Sequence, residues 1–114
     1  MNIDITQNSD TVIARPDGPR LDSPNALDFK EALRKVAETT DVNMIVDMRH
    51  VEFMDSSGLG ALVAVSKLMP APHQMIFANL QPLVARVFEL THLNRVFTIL
   101  PDGEIACLRP HSIL

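Results

Sequence analysis

Apolar and polar residues alternate at the start of the chain. From Ile3 to Thr6 every second residue is apolar, which is the period of a half-buried β-strand. A polar turn at residues 8–10 leads to a second run of this kind, from Thr11 to Ala14. Two strands joined by so short a turn are expected to form an antiparallel hairpin.

Beyond a break at residues 16–19, the apolar spacing changes to the three and four of a helix. Ser23 is predicted to be the N-cap, with Pro24 at the first helical position and the helix ending at residues 39–41. The residues predicted to share its apolar face are Ala26, Phe29, Leu33 and Val36.

The middle of the chain is more continuously apolar. Met44–Val46, ending at Asp47, is typical of a central strand covered on both faces. A loop follows, and the segment from Ser57 to Met69 then reads as a helix that is apolar almost all round. Such a helix is expected to be buried, and Pro70 ends it.

The last part of the chain continues the alternation of strand and helix. We predict a strand at Gln74–Ala78, a helix, a strand at Val96–Ile99 and a short helix at Asp102–Leu108. The residues predicted to share one face of the first of these helices are Leu83, Val84, Val87, Phe88 and Thr91. The order indicates an α/β fold, a mostly parallel sheet of about five strands with an antiparallel N-terminal hairpin, packed by about four helices.

Composition narrows the class of protein. A length of 114 residues with 46% hydrophobic and 21% charged residues suits one compact domain, residues 1–114. The net charge is −4 and the ten Lys and Arg residues are scattered, so nucleic acid is not an expected partner. The single cysteine, Cys107, excludes an internal disulfide and reads as a small apolar residue.

No targeting signal is apparent in the sequence. The N-terminus lacks a basic start followed by a long apolar stretch, so we do not expect a signal peptide. The longest apolar segment, Leu59–Val65, is too short to cross a bilayer. We therefore expect a cytoplasmic protein without a membrane partner.

The segment from Asp55 to Gly60 carries the candidate chemistry. Ser56 and Ser57 bring two hydroxyls to the first turn of a helix, where amide groups lack intrahelical partners and the helix dipole is positive. A phosphate on Ser57 would add about −1.5 to −2 charges. Gly58 and Gly60 leave room for another molecule's backbone. Plain N-capping explains the same residues, and the spacing alone leaves both interpretations open.

The run Asp55-Ser56-Ser57-Gly58-Leu59-Gly60 resembles the signature of the STAS domain in anti-sigma factor antagonists. The resemblance covers nearly the whole chain. Further segments that fall where this family has comparable ones are Leu21-Asp22, Met44-Ile45-Val46-Asp47, Phe77-Ala78-Asn79-Leu80, the helix through Leu90 and Val96-Phe97.

The resemblance implies a partner-switching regulator. The unmodified protein would bind an anti-sigma factor that is also a serine kinase of the histidine-kinase-like ATPase type, and so free a sigma factor. Phosphorylation of Ser57 would release that kinase, and a PP2C-type phosphatase would reverse the modification. The residues expected at the partner contact are Asp22, Asp55, Ser56, Gly58, Leu59 and Asn79.

Several of these residues have plainer interpretations. Asp22 also fits a turn before the helix, and Asn79 fits a strand end with local hydrogen bonds. Phe53, Met54 and Leu59 are apolar contact candidates that fit the core equally well. The resemblance implies no cofactor, no metal, no catalysis by this chain and a monomer when free. The sequence departs from the family pattern in two places. Pro19 interrupts the region where the family usually has a Gly-Arg-Leu-Asp run, and the C-terminal segment has Pro110 and His111 in place of a longer helix.

Other functions fit the sequence less well. A response-regulator receiver would use Asp47, but Thr6-Gln7 stands where acidic Mg²⁺ ligands are needed, and the last strand has no lysine. A serine hydrolase is not indicated, because the Gly-x-Ser-x-Gly motif is missing. The sequence also lacks the residue spacings of a metal site and the full glycine fingerprint of a dinucleotide-binding site. A STAS scaffold subunit of a sensory or lipid-transport complex, with no phosphoswitch, remains the alternative.

Overall fold

The computed structural model describes residues 2–7 and 10–101. The strands are β1 (Ile3–Gln7), β2 (Thr11–Pro16), β3 (Arg20–Leu21), β4 (Asn43–Asp47), β5 (Phe53–Met54), β6 (Met75–Ala78) and β7 (Thr98–Ile99). The helices are α1 (Ser23–Thr39), α2 (Ser56–Ser66), α3 (Pro82–Leu90) and a 3-10 turn at Leu93–Arg95.

Five strands form the main sheet, in the order β1-β2-β4-β6-β7. Only the β1–β2 hairpin is antiparallel, and the other neighbouring pairs are parallel. The three α-helices connect successive parallel strands, and each crossover steps in the same direction across the sheet. Crossovers of one hand and one direction place their helices on one face. The predicted α/β fold with its N-terminal hairpin is therefore confirmed.

The two faces of the sheet bury different side chains. The larger core lies between the sheet and the helices, and at its centre Phe77 makes edge-to-face ring contacts with Phe88 and Phe97, at centroid distances of 5.2 and 5.1 Å. On the other face Ile45 and Ala78 form a smaller buried cluster. Since alternate residues of a strand point to opposite faces, Asp47 lies on the same side as Ile45.

A second, two-stranded sheet was not predicted. β3 pairs in parallel with β5, with Arg20 opposite Phe53 and Leu21 opposite Met54. Each strand has only two residues, so neither produces an alternating pattern that sequence reasoning could detect. This small sheet connects the segment that precedes α1 to the segment that precedes α2, and thereby sets where the two helices begin.

Several predicted boundaries need correction. α1 begins at Ser23, so its N-cap is Asp22, which makes no capping hydrogen bond with its side chain. α2 ends at Ser66, before Met69, and is buried on one side only. Leu83 is exposed rather than part of the buried face of α3.

The end of the described chain also differs from the prediction. β7 is shorter than predicted, and Val96 precedes it with 72% of its surface exposed. Within residues 2–7 and 10–101 the chain has three α-helices, fewer than the four or so expected. The helix predicted at 102–108, together with Cys107, lies outside the described residues.

The side chain of Asp47 is fully buried at the end of β4 and forms an ionic network. Its Oδ2 accepts hydrogen bonds from Nε of Arg15 (2.8 Å) and Nε of Arg49 (2.9 Å). Its Oδ1 accepts from Nδ2 of Asn79 (3.0 Å) and from the Arg49 amide (3.2 Å). Burial raises the pKa of Asp47, but the bonds from Asn79 and the two arginines outweigh burial and hold this pKa below its usual value.

α2 approaches the backbone of Leu21 so closely that only glycine fits at position 58. A Cβ on Gly58 would collide with the carbonyl oxygen of Leu21 and come within 2.9 Å of its carbonyl carbon. The other glycine of the motif differs, because a Cβ on Gly60 would meet no atom within 4 Å. Gly58 is therefore required by packing, whereas Gly60 is not.

We predict that Asp47→Asn lowers the free energy of unfolding at pH 7 by about 3–5 kcal/mol, the usual cost of breaking a buried ion pair. The folded-state pKa lies below the unfolded value, so the Asp47 contribution is present above pH 3.8 and is lost as pH falls through the folded pKa. Urea denaturation at a series of pH values measures this. Asp41→Asn, at an exposed position, is the control, and equal losses in both variants at pH 7 would contradict the prediction.

We also predict opposite effects of alanine at the two glycines. Gly58→Ala should destabilise the fold by about 1–3 kcal/mol because the backbone of Leu21 must move. Gly60→Ala should stabilise it by about 0.5–1 kcal/mol because alanine has the higher helix propensity and the space is open. Urea denaturation of the two variants tests the pair, and changes of the same sign would show that α2 is packed differently.

Candidate functional site

One carboxylate connects the beginnings of two helices. Asp55 is the N-cap of α2, and its Oδ1 accepts a hydrogen bond from the Gly58 amide at 3.0 Å. Its Oδ2 accepts from the amide of Ser23, the first residue of α1, also at 3.0 Å. Ser23 and Ser57, although 34 residues apart, are thereby brought together, and Oγ of Ser57 lies 3.5 Å from Oγ of Ser23.

The hydrogen bonds to Asp55 stabilise its charged form. The Gly58 amide is the main cause of the lowered pKa of Asp55, burial is the next-largest influence and opposes it, and the amides of Ser23 and Ser57 add to the lowering. The Gly58 amide, which a phosphate at this helix start would otherwise use, is thus already bound to Asp55. A new anion here meets an ionised carboxylate beside it.

The two serines of the motif open onto different surfaces. Ser57 lies in a groove of about 300 Å³ between α1 and α2. Ser56 lies in a groove of about 480 Å³ between α2 and the end of α3. Both hydroxyls are on exposed residues, so both are accessible to a second protein.

The α1–α2 groove is walled by small and apolar side chains with one cation. Its lining residues are Ser23, Ala26, Leu27, Lys30, Ser57, Gly60, Ala61 and Ala64. Leu27 is 67% exposed, which is unusual for a leucine on a helix that packs against the core. Sequence reasoning missed Ser23, Leu27 and Lys30 as site residues, although spacings of four and three place them on one face of α1.

The α2–α3 groove is more apolar. Its lining residues are Ser56, Leu59, Gly60, Val63, Ala64, Lys67, Thr91 and Leu93. Leu59 is half-buried, packing against the core while it lines this groove, whereas Met54 is 3% exposed and belongs to the core. Gly60 and Ala64 line both grooves. The part of α2 that separates the two grooves therefore carries small side chains.

Asp22 lies next to this site but is held by its own neighbours. Only 12% of its side chain is exposed, Oδ2 accepts from Nε of Arg20 at 2.8 Å, and Oδ1 accepts from Nδ2 of Asn25 at 3.1 Å. Arg20 also stacks on Phe53, 4.2 Å from the ring centroid. The arrangement makes Asp22 an anchor for Arg20.

The atypical Pro19 is compatible with this arrangement. Its carbonyl oxygen accepts hydrogen bonds from the amides of Glu52 and Phe53, at 2.7 and 3.1 Å. These bonds attach the loop before β3 to the segment before β5, so the inserted proline fits without separating Asp22 from Ser57.

Asn79 lines neither of the two grooves. It follows β6 with a left-handed φ of 57°, which asparagine tolerates better than most residues. Its side chain donates to Asp47, on the face of the sheet opposite the helices. The structure thus places Asp22 and Asp55 close to Ser57, it places Ser56 in the adjacent α2–α3 groove, and it places Asn79 in the Asp47 network.

Two kinds of site are missing from the described part of the chain. In residues 2–7 and 10–101 no three His, Cys, Asp or Glu side chains are grouped so that they could hold a metal ion. Within the same residues no helix is long and apolar enough to span a bilayer.

Comparison with known proteins agrees with the geometry. An anti-sigma-B factor antagonist of Listeria monocytogenes is 30% identical over 80 residues, which are 69% of this chain and 70% of that protein. An anti-sigma factor antagonist from Mycobacterium paratuberculosis has the same fold, with a TM-score of 0.83, 20% identity and coverage of 94% and 91% of the two chains. The phosphorylated form of the Bacillus cell fate determinant SpoIIAA superposes with a TM-score of 0.67 and 22% identity, over 95% and 100%.

A sequence model of the STAS domain matches residues 2–105, which is most of the chain. The two structural likenesses show the fold, and the Listeria relative shows the sequence relationship. Fold, motif and sequence lead to the same conclusion: the chain belongs to the STAS domain family.

Proposed function

We propose that the chain is an anti-sigma factor antagonist that works by partner switching in the cytoplasm, with Ser57 as its phosphoacceptor. The observation that carries the proposal is the position of Ser57. Its hydroxyl is exposed at the first turn of α2, at the end of a groove that two helices form, and the ionised Asp55 precedes it by two residues. A change of charge there alters a surface without disturbing the core.

Relatives support this role. The Listeria protein is named as an anti-sigma-B factor antagonist, and the structure of SpoIIAA has been determined in a phosphorylated form. By the same resemblance, the partner of the unmodified chain is an anti-sigma factor that is also a serine kinase of the histidine-kinase-like ATPase type. Occupying that partner leaves the sigma factor free.

In the proposed reaction this chain is the substrate and not the enzyme. Oγ of Ser57 attacks the γ-phosphorus of the kinase's ATP, the bond to the β-phosphate oxygen breaks, and the hydroxyl proton passes to a base of the kinase. ADP leaves and the phosphoserine remains. A PP2C-type phosphatase transfers the phosphoryl group to water and restores the hydroxyl.

The switch needs only a modest energy. Phosphorylation adds about −1.5 to −2 charges beside an Asp55 that is already ionised. A loss of about 1.4 kcal/mol weakens binding tenfold. An anion at the centre of an interface, next to a second anion, costs at least that much unless the partner supplies a cation.

The other candidate residues take different parts in this proposal. Ser56 and Leu59 contact the partner directly because both are accessible in the α2–α3 groove. Gly58 and Asp55 hold the two helix starts together. Asp22 acts on the partner surface by fixing Arg20.

We predict that Ser57 alone gains phosphate when the protein is incubated with the cognate kinase and ATP, as mapped by mass spectrometry. Ser57→Ala should bind the kinase as the wild type does, and Ser57→Asp should bind at least tenfold more weakly, as measured by calorimetry. Ser56→Ala is the control for site assignment, because it removes the adjacent exposed hydroxyl and should leave the phosphate on Ser57.

The same measurements distinguish the scaffold alternative. If no phosphate appears and both Ser57 variants still bind their partners, the switch is wrong, and Ser57 caps a helix in a STAS scaffold subunit. If Ser56 is phosphorylated instead, the assignment of Ser57 as the phosphoacceptor is wrong.

A further inference from the structure

We propose that Lys30 is the counter-ion of the phosphate on Ser57, so that the phosphorylated side chain lies along the α1–α2 groove and fills the surface that the partner would occupy. The inference rests on the proposed function, because it concerns the modified form of the same serine. It adds a specific residue on α1 and a direction for the phosphate.

The surroundings of Asp55 exclude one orientation of a phosphate on Ser57, the one that points toward Asp55. A phosphate on Ser57 cannot use the Gly58 or Ser23 amides, because the Asp55 carboxylate already binds both at 3.0 Å. The carboxylate is also negatively charged, and its lowered pKa keeps it so. Two anions repel, and the phosphate is therefore displaced toward the groove, away from Asp55.

The groove contains a cation and no acidic residue. Lys30 is the one charged side chain among its lining residues. Within the described residues Lys30 makes no ion pair with a carboxylate, whereas its neighbour Arg34 on α1 is paired with both Glu31 and Glu38. The positive charge of Lys30 is thus available to an anion that enters the groove.

The distance along the helix suits such a contact. Ser23 is level with Ser57, since their hydroxyl oxygens are 3.5 Å apart. Lys30 follows Ser23 by two turns of α1, a rise of about 10 Å. Side chains of a helix tilt toward its N-terminus, so a long lysine side chain reaches back toward Ser57 while a phosphate extends to meet it.

The adjacent serine lacks an equivalent partner. The α2–α3 groove also contains a lysine, Lys67, but it lies at the opposite end of α2 from Ser56. Eleven residues of helix separate the two by about 16 Å, which is beyond the reach of a lysine side chain. The geometry therefore distinguishes a phosphate on Ser57 from one on Ser56, and it makes Lys67 a natural control.

The test uses phosphoserine placed at position 57 by suppression of an amber codon, so that no kinase is required. The second pKa of the phosphate is then measured by ³¹P NMR titration. A nearby cation favours the dianion, so replacement of Lys30 should raise this pKa. We expect Lys30→Met to raise it by about 0.2 to 0.7 units, the shift that corresponds to one exposed ion pair.

Two further variants complete the design. Lys30→Arg keeps the charge and should leave the phosphate pKa near that of the wild type, while Lys67→Met should leave it unchanged. Lys30→Met should also let the phosphorylated protein rebind its partner severalfold more tightly, because the phosphate is no longer held in the groove.

The inference is overturned if Lys30→Met leaves the phosphate pKa at the wild-type value, because the phosphate then points into solvent, or if Lys67→Met raises this pKa as much as Lys30→Met does. Failure of the proposed function has a different signature, which is the absence of phosphate at Ser57 after incubation with the kinase. Since the phosphoserine is built in, the ³¹P titration gives its answer in either case.

Discussion

The geometry of the site depends on the Asp55 carboxylate. One oxygen caps α2 and the other binds the first amide of α1, so a single side chain fixes the relative position of two helices that begin 33 residues apart. The close packing of Gly58 on Leu21 and the pairing of β3 with β5 reinforce the same junction. The hydrogen bonds that fix the geometry also keep Asp55 ionised.

A second carboxylate, that of Asp47, holds chain segments together on the opposite face of the sheet. Asp47 joins the ends of β2, β4 and the loop after β6 through Arg15, Arg49 and Asn79. Gln81 adds a hydrogen bond to the carbonyl oxygen of Arg49, 2.6 Å away, at the start of the segment that leads to β5. The chain between β4 and α2 is therefore held at both ends, by Asp47 at its beginning and by Asp55 at its end.

Most of the fold could be predicted because long elements repeat their apolar pattern many times. The hairpin, α1 and α3 were found from periodicity and β4 from its continuously apolar run, and the motif located the candidate site. β3 and β5 were missed because two residues carry no period. The buried appearance of α2 was misleading, since composition alone does not show that Leu59 and Val63 line an open groove. Asn79 was assigned to the site by analogy of position, whereas its side chain points to Asp47, and only coordinates show direction.

The sharing of Gly60 and Ala64 by both grooves has an evolutionary consequence. Each groove has one wall on α2, which carries the serines, and one wall that is its own: Leu27 and Lys30 on α1, or Thr91 and Leu93 beyond α2. The residues outside α2 that line only one groove can be substituted while the residues of α2 stay the same. Under the proposed switch, changes on α1 alone would therefore be enough to insulate duplicated copies of such a protein from one another's kinases, with Ser57 unchanged.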